Sequence, residues 1–231
     1  MLAHVITIMD NQRSFLGATN LIRSSKTIGN IFNIQHFNAV TPLTVSKLMT
    51  KERIKWDYPW EGSQLDIKSG LIKSSYQTND PLKRMSCAMS HYYLWKDCVH
   101  SGLPFLILEH DSIFIKRLDY DDIIKSNYNI VGLNDPRRAT RKSGEYFKWI
   151  QERPEHIQPV PTVDDYNIPQ GLAGNSAYII KPKGAQDMLD AVNEYGMWPN
   201  DALMCKQLIK KMGVTKEFYT RVQGLPSSTT L

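Results

Sequence analysis

Residues Phe105-Leu106-Ile107-Leu108-Glu109-His110-Asp111 combine four apolar side chains with three polar ones directly after them. An apolar run of this length, preceded by Gly102 and Pro104, predicts a buried strand of an α/β sheet. Ligands of open α/β sheets bind outside the carboxyl ends of the strands, where Glu109 and Asp111 would lie. An acidic pair at this position can also begin a turn or cap a helix, so the rest of the chain has to decide between the two interpretations.

The N-terminal residues predict a βαβ unit. Residues 4–9 are rich in β-branched side chains and predict a strand, and the helix that follows ends before Gly29 and Asn30. Residues 31–37 predict the second strand. Strand, helix and strand at this spacing indicate two parallel strands joined by a crossover helix.

Residues 81–100 predict a long helix that leads directly into the apolar strand. Asp80 can cap the first turn of this helix, and Pro81 suits the first helical position. Apolar residues recur at intervals of three and four, which gives the helix one buried face: Met85, Ala88, Met89, Tyr92, Trp95 and Val99. His91 lies on the same helix, either as a donor to a phosphate or as an ordinary core histidine.

Two segments lack a clear period. Residues 46–78 predict an irregular excursion, and residues 134–170, which several prolines interrupt, predict a long loop or flap. The second segment is basic and aromatic and contains Arg137, Arg138, Arg141 and Trp149. Such a composition suits contact with phosphates and stacking on a base or sugar, although a solvated basic loop explains it equally well.

The C-terminal part resumes the alternation of strands and helices. Residues 171–180 predict a glycine-rich turn into a strand, and a helix is expected from Pro182 to about Tyr195. Another helix is predicted to begin at residue 199, with its apolar face formed by Leu203, Met204, Leu208 and Met212. A short strand is expected near Phe218.

Length and composition predict one soluble globular domain. The chain has 231 residues, of which 42% are hydrophobic and 22% charged, and no apolar run approaches the roughly 18 residues that span a bilayer. The N-terminal apolar run lacks the basic segment and cleavage site of a signal peptide, so we expect a strand there. Three scattered cysteines predict reduced thiols and a cytoplasmic location. The net charge of +5 permits a polyanionic partner without identifying one.

Carboxylates at the ends of predicted elements are the main candidates for chemistry, because the chain contains no P-loop, no complete dinucleotide fingerprint and no Gly-x-Ser-x-Gly elbow. They are Asp10, Glu109, Asp111, Asp135 and Asp201. Glu109 and Asp111 suit a divalent cation that bridges nucleotide phosphates and stabilises charge on a departing diphosphate. Asp201 is either catalytic or a stabiliser of the first turn of its helix.

Several stretches, in order along the chain, resemble glycosyltransferase family 25, the lipooligosaccharide-type glycosyltransferases. The most specific is Cys87-Ala88-Met89-Ser90-His91-x-x-x-Trp95, which is similar to the family's Cys-x-x-Ser-His helix. Residues 106–111 resemble its Glu-Asp-Asp strand end, with His110 in place of the central Asp. The other similar stretches are residues 10–14, Phe37-Asn38-Ala39-Val40, Gly174-Asn175-Ser176-Ala177-Tyr178 with Gly184-Ala185, and Pro199-Asn200-Asp201.

This resemblance implies an α/β fold of the GT-A type, a nucleotide-sugar-binding domain with a Rossmann-like mixed sheet flanked by helices. Within one domain of residues 1–231, residues 1–133 would form the nucleotide-sugar-binding half, 134–170 the basic and aromatic loop, and 171–231 the acceptor and catalytic half. The implied reaction is transfer of a hexosyl or pentosyl group from a nucleoside-diphosphate sugar to an acceptor hydroxyl, by an inverting mechanism.

The resemblance also implies roles for individual residues. Asp201 would be the base that deprotonates the acceptor, with Glu109 as a second catalytic residue. Glu109 and Asp111 would hold a divalent cation, Mn²⁺ or Mg²⁺. Residues that bind the donor would be Arg13, Val40, Arg84, His91 and Asp111. Residues that contact the acceptor would be Arg137, Arg138, Arg141, Trp149 and Gly174.

Two acceptors and two other functions stay open. The acceptor is either a glycan of the lipopolysaccharide type or a hydroxymethylated base of duplex DNA, which a basic flap with an aromatic wedge would help to flip out of the helix. The alternative that His110 favours is a catalytically silent nucleotide- or nucleic-acid-binding module on the same fold. A metal-dependent phosphohydrolase or nuclease has less support, because such enzymes need more clustered carboxylates.

Overall fold

The computed structural model describes residues 1–139 and 142–225 of the chain. Within these ranges the helices are α1 Gln12–Thr27, α2 Val45–Glu52, α3 Pro81–Ser101, α4 Asp121–Lys125, α5 Ser143–Glu152, α6 Pro182–Tyr195 and α7 Asn200–Leu203. The strands are β1 Leu2–Thr7, β2 Ile34–Asn38, β3 Ser63–Leu65, β4 Ile72–Ser74, β5 Phe105–Glu109, β6 Ser112–Phe114, β7 Ile130–Gly132, β8 Ile157–Pro159, β9 Ala177–Ile180, β10 Met212–Thr215 and β11 Thr220–Val222. The predicted mixed α/β class is confirmed.

Seven of the strands form one mixed sheet in the order β2-β1-β5-β9-β7-β10-β8. β1 pairs in parallel with β2 and β5, and β7 pairs in parallel with β10, whereas β9 is antiparallel to both of its neighbours. β8 is antiparallel to β10 at one edge of the sheet. The parallel pairing of β1 and β2 around α1 confirms the predicted βαβ unit. Each of the three predicted segments of the chain contributes strands to this sheet.

Helices cover both faces of the sheet, so β5 is buried on both sides. Phe105 and Ile107 pack into a core with residues of α3 and α6. Leu106 and Leu108 pack into a second core with residues of α1 and α4. All four side chains are at most 2% exposed, which explains why β5 is a continuous apolar run rather than an alternating one.

The helix before β5 has the predicted caps. Asp80 accepts a 2.9 Å hydrogen bond from the Leu82 N–H, and Pro81 occupies the first turn of α3. Gly102 ends the helix with a φ of 67°, a conformation that glycine adopts without steric cost. The short connection after Gly102 fixes α3 against β5, and it thereby fixes His91 relative to Glu109.

Three sequence-based predictions of local structure are wrong, because tertiary packing orders segments whose local pattern is weak. Residues 46–78 contain α2 and the antiparallel pair β3 and β4, rather than only an irregular excursion. Residues 134–170 contain α5 and β8, rather than only a loop, and α5 buries Tyr146 and Ile150. The helix predicted from residue 199 ends at Leu203; the residues after it form turns, and Met212 belongs to β10.

A buried lysine holds the β3–β4 hairpin in place. Lys73 is 1% exposed, and its Nζ lies 3.2 Å from Asp66 Oδ1 and 3.3 Å from Asp57 Oδ2. The same ammonium group lies 5.0 Å from the centroid of the Trp198 ring. A buried ammonium group needs paired charges and hydrogen bonds, so this contact ties the hairpin to the C-terminal part of the chain.

None of the helices in the described ranges has the combined length and hydrophobicity that crossing a bilayer requires. The three cysteines, Cys87, Cys98 and Cys205, are free thiols, as the sequence predicts.

Candidate active site

A pocket of about 360 Å³ opens where the carboxyl ends of β1, β2 and β5 meet. Ile6 of β1 pairs with Glu109 of β5 across parallel strands, so the acidic strand end lies beside the end of β1. Other lining residues come from the loop after β2, from α3, from the segment before β9 and from the start of α7. The pocket therefore occupies the edge at which open α/β sheets bind their ligands.

Ser90 and His91 of α3 hold two different parts of the pocket wall. Ser90 Oγ accepts a 2.9 Å hydrogen bond from the Val40 backbone N–H and donates to the Ser86 carbonyl at 2.8 Å. His91 bonds instead to Glu109. Adjacent residues thus attach the loop after β2 and the end of β5 to the same helix.

His91 belongs to a buried series of four hydrogen-bonded side chains. Trp95 Nε1 donates to the Tyr178 hydroxyl at 3.0 Å, that hydroxyl lies 2.8 Å from His91 Nδ1, and His91 Nε2 lies 3.0 Å from Glu109 Oε1. Trp95, Tyr178 and His91 are fully buried. Burial, the largest single effect, raises the pKa of Glu109, but the hydrogen bond from His91 and the electrostatic interactions with His91 and His110 together outweigh burial and hold that pKa below its usual value. Glu109 is therefore ionised at neutral pH.

Asp111 lines the pocket with a buried carboxylate oxygen, Oδ1, that has no hydrogen-bond partner among the described residues. Burial and the negative charge of Glu109 raise the pKa of Asp111 to about 7. A buried acceptor without a partner costs free energy, and so does the repulsion between two neighbouring carboxylates. Glu109 and Asp111 therefore fit the predicted Mn²⁺ or Mg²⁺, which would relieve both costs.

His110, between the two carboxylates, attaches the acidic turn to neighbouring elements. Its ring hydrogen-bonds to the backbone carbonyl of Ile6, and burial lowers the pKa of the imidazole, which is neutral at pH 7. The His110 carbonyl oxygen accepts a 3.1 Å hydrogen bond from Gln223. A Cβ on Gly17 of α1 would lie 2.6 Å from the same oxygen, so only glycine permits this approach. His110 thus has a structural role that leaves Glu109 and Asp111 facing the pocket.

Asp201 reaches the pocket from the first turn of α7 and forms a cluster with Tyr76 and Arg84. Burial raises the pKa of Asp201 above its usual value, and the positive charge of Arg84 and a hydrogen bond from the Tyr76 hydroxyl oppose this effect. Arg84 donates to the Gln77 carbonyl at 3.2 Å, and its Cζ lies 4.7 Å from the centroid of the Tyr76 ring. The cluster joins a carboxylate of raised basicity to a cation within one pocket.

Cys87 is a neutral thiol close to the carboxylates of Glu109 and Asp201. Its Sγ donates to Asn200 Oδ1 at 3.6 Å and lies within 4.8 Å of ligand atoms of His91 and Glu109. Burial and the charges of Glu109 and Asp201 raise the pKa of Cys87 well above its usual value, so the sulfur is not a thiolate nucleophile. His91 Nε2 is already bonded to Glu109, which makes this trio a weaker cation site than Glu109 with Asp111.

The pocket contains buried polar atoms that have no hydrogen-bond partner among the described residues: Arg84 Nε, Asp111 Oδ1, Asn175 Oδ1 and Ser176 Oγ. Buried polar groups in folded proteins are almost always hydrogen-bonded. Unpartnered atoms of a guanidinium, a carboxylate, an amide and a hydroxyl in one pocket indicate a polar ligand with both donors and acceptors. The phosphates and hydroxyls of a nucleotide sugar have this character.

Seven of the predicted site residues line this pocket: Val40, Arg84, His91, Glu109, Asp111, Gly174 and Asp201. Arg13 is exposed on the first turn of α1 and is not among the lining residues. Sequence reasoning assigned no role to Asn175, Ser176 or Asn200, although each lies inside a stretch that resembles the family. It also missed Tyr76, for which the irregular segment around it gives no signal.

Three further predicted acceptor residues, Arg137, Arg138 and Trp149, lie outside the pocket lining. Arg137 Nη2 lies 2.6 Å from Asp135 Oδ2, and the Arg137 guanidinium lies 4.3 Å from the centroid of the Phe147 ring. Trp149 packs against the core, with the Arg153 guanidinium 3.8 Å from the centroid of its ring. Arg138 is exposed, with a φ of 67°. Arg141 falls outside the described residues.

Comparison with known proteins gives a match to a family and similarities to solved structures. The model of glycosyltransferase family 25, described as an LPS biosynthesis protein, matches residues 21–204 of the chain. A search of curated proteins finds no match. Among solved structures, the chain is similar to the crystal structure of the glycosyltransferase GlyE in Streptococcus pneumoniae TIGR4, with 11% sequence identity and a TM-score of 0.36. The similarity covers 92% of this chain and 44% of that chain, so the chain spans less than half of the neighbour's length.

Proposed function

Since the chain belongs to glycosyltransferase family 25, we propose that it transfers a sugar from a nucleoside-diphosphate sugar to an acceptor hydroxyl on a glycan. The observation that carries this proposal is the meeting of three carboxylates, Glu109, Asp111 and Asp201, with the cation Arg84 in one pocket at the carboxyl edge of the sheet. A mixed sheet with an acidic pair after a central strand also supports a GT-A-type donor domain.

The donor would bind along the wall formed by β1, β2 and α3. Val40 lies in the loop after β2, where it would contact the nucleoside, and Arg84 on α3 offers a guanidinium to the diphosphate. Glu109 and Asp111 would hold a divalent cation at the acidic strand end. A cation bound there would neutralise charge on the departing diphosphate.

Asp201 would take the proton from the acceptor hydroxyl, as the base of an inverting transfer. Its raised pKa makes it a stronger base than an ordinary aspartate, and the positive charge of Arg84 limits that rise. The Tyr76 hydroxyl faces the same carboxylate and also limits the rise of its pKa. Asp201 enters the pocket from the C-terminal part of the chain, whereas the donor-binding residues come from the N-terminal part. This arrangement suits a group that contacts the acceptor.

We prefer a glycan as the acceptor, because the family is described as one of LPS biosynthesis proteins. The alternative, a hydroxymethylated base of duplex DNA, depends on the basic segment. Trp149, the aromatic candidate for the wedge, is packed on the core under Arg153, and the charge of Arg137 is paired with Asp135, so this segment gives the DNA alternative little support. Binding of duplex DNA that weakens steeply with salt would favour the DNA alternative.

A thermal-shift screen of nucleotide sugars, with and without Mn²⁺, tests the proposal. A ligand that binds only the native state raises the melting temperature by mass action. We expect stabilisation by one nucleotide class, enhanced by Mn²⁺, followed by release of the nucleoside diphosphate when an acceptor glycan is added. Stabilisation without any turnover, even with a broad set of acceptors, would instead support the catalytically silent binding module.

A further inference from the structure

The chemistry of the buried series Trp95, Tyr178, His91 and Glu109 fixes the direction of its hydrogen bonds. The indole N–H of Trp95 can only donate, so the Tyr178 oxygen is its acceptor at 3.0 Å. In the part of the chain that the structure describes, His91 Nδ1, at 2.8 Å, is the other hydrogen-bond partner of that oxygen. The Tyr178 hydroxyl proton therefore points at Nδ1, and Nδ1 is an acceptor.

An acceptor at Nδ1 places the imidazole proton on Nε2, since one ring nitrogen donates when the other accepts. Nε2 lies 3.0 Å from Glu109 Oε1, which is a suitable acceptor. The reverse arrangement has the proton on Nδ1 and a protonated Glu109 that donates to Nε2. It would leave the fully buried Tyr178 hydroxyl proton without an acceptor among the described residues, at a considerable cost. Trp95 therefore decides between the two arrangements.

We propose that Trp95 and Tyr178 are positioning residues, which hold the proton of His91 on Nε2 so that His91 always occupies one oxygen of Glu109. Glu109 then keeps its second oxygen, Oε2, for the cation or the donor. Trp95 and Tyr178 are not among the residues that line the pocket, so they act only through His91. The identity of the ligand that Glu109 would bind rests on the proposed function, whereas the position of the His91 proton is independent of it.

Two-bond ¹H–¹⁵N NMR of the full chain measures the position of the proton directly, because the two neutral tautomers of histidine give different patterns. A His91→Gln variant identifies the His91 signals by their loss. We expect the pattern of a proton on Nε2 in the unmodified protein at neutral pH. A proton on Nδ1, in either a neutral or a doubly protonated ring, would overturn the proposal, and this measurement needs no variant of Tyr178 or Trp95 to fold.

Tyr178→Phe removes the donor to Nδ1 with little change in volume. We expect a mixture of His91 tautomers and a roughly 10- to 100-fold lower kcat/KM, the usual effect of losing a group that orients a ligand-binding side chain. Trp95→Phe removes the N–H donor that fixes the direction of the Tyr178 hydrogen bond, and this variant should also give a mixture of His91 tautomers. Unchanged His91 signals together with full activity in Tyr178→Phe would contradict the positioning role.

Tyr92→Phe is the matched control. Tyr92 is a buried tyrosine of α3 that does not line the pocket, and its hydroxyl donates to Glu52 Oε2 at 3.3 Å. We expect wild-type His91 signals and near-normal activity in this variant. If no nucleotide sugar is a substrate, the proposed function fails, while the NMR pattern still decides where the proton of His91 lies.

Discussion

Ser90 on α3 accepts a buried 2.9 Å hydrogen bond from the backbone N–H of Val40, in the loop after β2. The next residue, His91, contacts Glu109 at the end of β5. One turn of one helix therefore sets the distance between the two parts of the pocket that would hold the nucleoside and the diphosphate. This explains why a Ser-His pair, rather than His91 alone, matters to the site.

Ser90→Ala should raise the KM for the nucleotide-sugar donor more than it lowers kcat. The change leaves the Val40 N–H without a partner, which costs about 1–3 kcal/mol of stability and loosens the wall against which the nucleoside would bind. Steady-state kinetics and urea unfolding measure the two effects. Ser101→Ala, in the last turn of the same helix, is the control, since its hydroxyl bonds to the Cys98 carbonyl and the Leu103 N–H at the end of the helix and lies outside the pocket. A loss of kcat at unchanged KM would contradict this role of Ser90.

Asp201→Asn should lower kcat by roughly 10²- to 10⁴-fold, the usual contribution of a general base. The amide is nearly the same size as the carboxylate, so donor binding in the thermal-shift assay should persist. Asp97→Asn, on the exposed face of α3, is the matched control and should leave kcat unchanged. Near-normal transfer by Asp201→Asn would exclude Asp201 as the base.

Arg84→Gln should move the acidic limb of the pH profile of kcat/KM to higher pH. Burial raises the pKa of Asp201 and Arg84 opposes that rise, so losing the cation raises the pKa further. A base acts only when deprotonated, and the rate therefore falls as the pH falls through this higher value. Arg84→Lys keeps the charge and should retain an acidic limb near its original position. An acidic limb that does not move in Arg84→Gln would show that another group titrates.

Lys73→Ala should lower the free energy of unfolding by about 3–5 kcal/mol, because it leaves the charge of Asp66 buried without its partner. Urea unfolding followed by tryptophan fluorescence measures this change, and Trp198 lies beside the lysine as a local probe. Lys68→Ala, an exposed lysine of the same hairpin, should change stability by less than about 0.5 kcal/mol. Similar losses in both variants would mean that the buried pair is not what holds the hairpin.

Gly171→Ala should reduce both stability and transfer. A Cβ at this position would collide with the Met204 carbonyl oxygen and lie 3.1 Å from the Asp201 carbonyl oxygen, so α7 would have to shift. Such overpacking costs about 1–3 kcal/mol, and it moves the proposed base. Gly144→Ala, where a Cβ meets nothing within 4 Å and the residue lies in α5, should be neutral or slightly stabilising. Full activity in Gly171→Ala would show that the position of α7 tolerates this shift.

Much of the frame around the site follows from local sequence. The continuous apolar run of β5 predicts burial on both faces, and Asp80, Pro81 and Gly102 predict the ends of α3, since caps and apolar runs act through neighbouring residues. Glu109 and Asp111 are placed by the same logic, because polar residues directly after a buried strand must lie at its end. The segments without a period, such as the one containing α5, are ordered by burial against distant residues, and no local pattern predicts them.

The sequence by itself therefore determined the α/β class, the strand and helix that carry Glu109 and His91, and the acidic edge of the sheet. Only the tertiary structure decided that Ser90 holds Val40, that Trp95 and Tyr178 orient His91, and that Tyr76 and Arg84 surround Asp201. It also paired Arg137 with Asp135 and packed Trp149 against the core. The physical reason is that apolar periodicity and caps are local, whereas hydrogen bonds between buried side chains depend on which distant elements the fold brings within about 3 Å of each other.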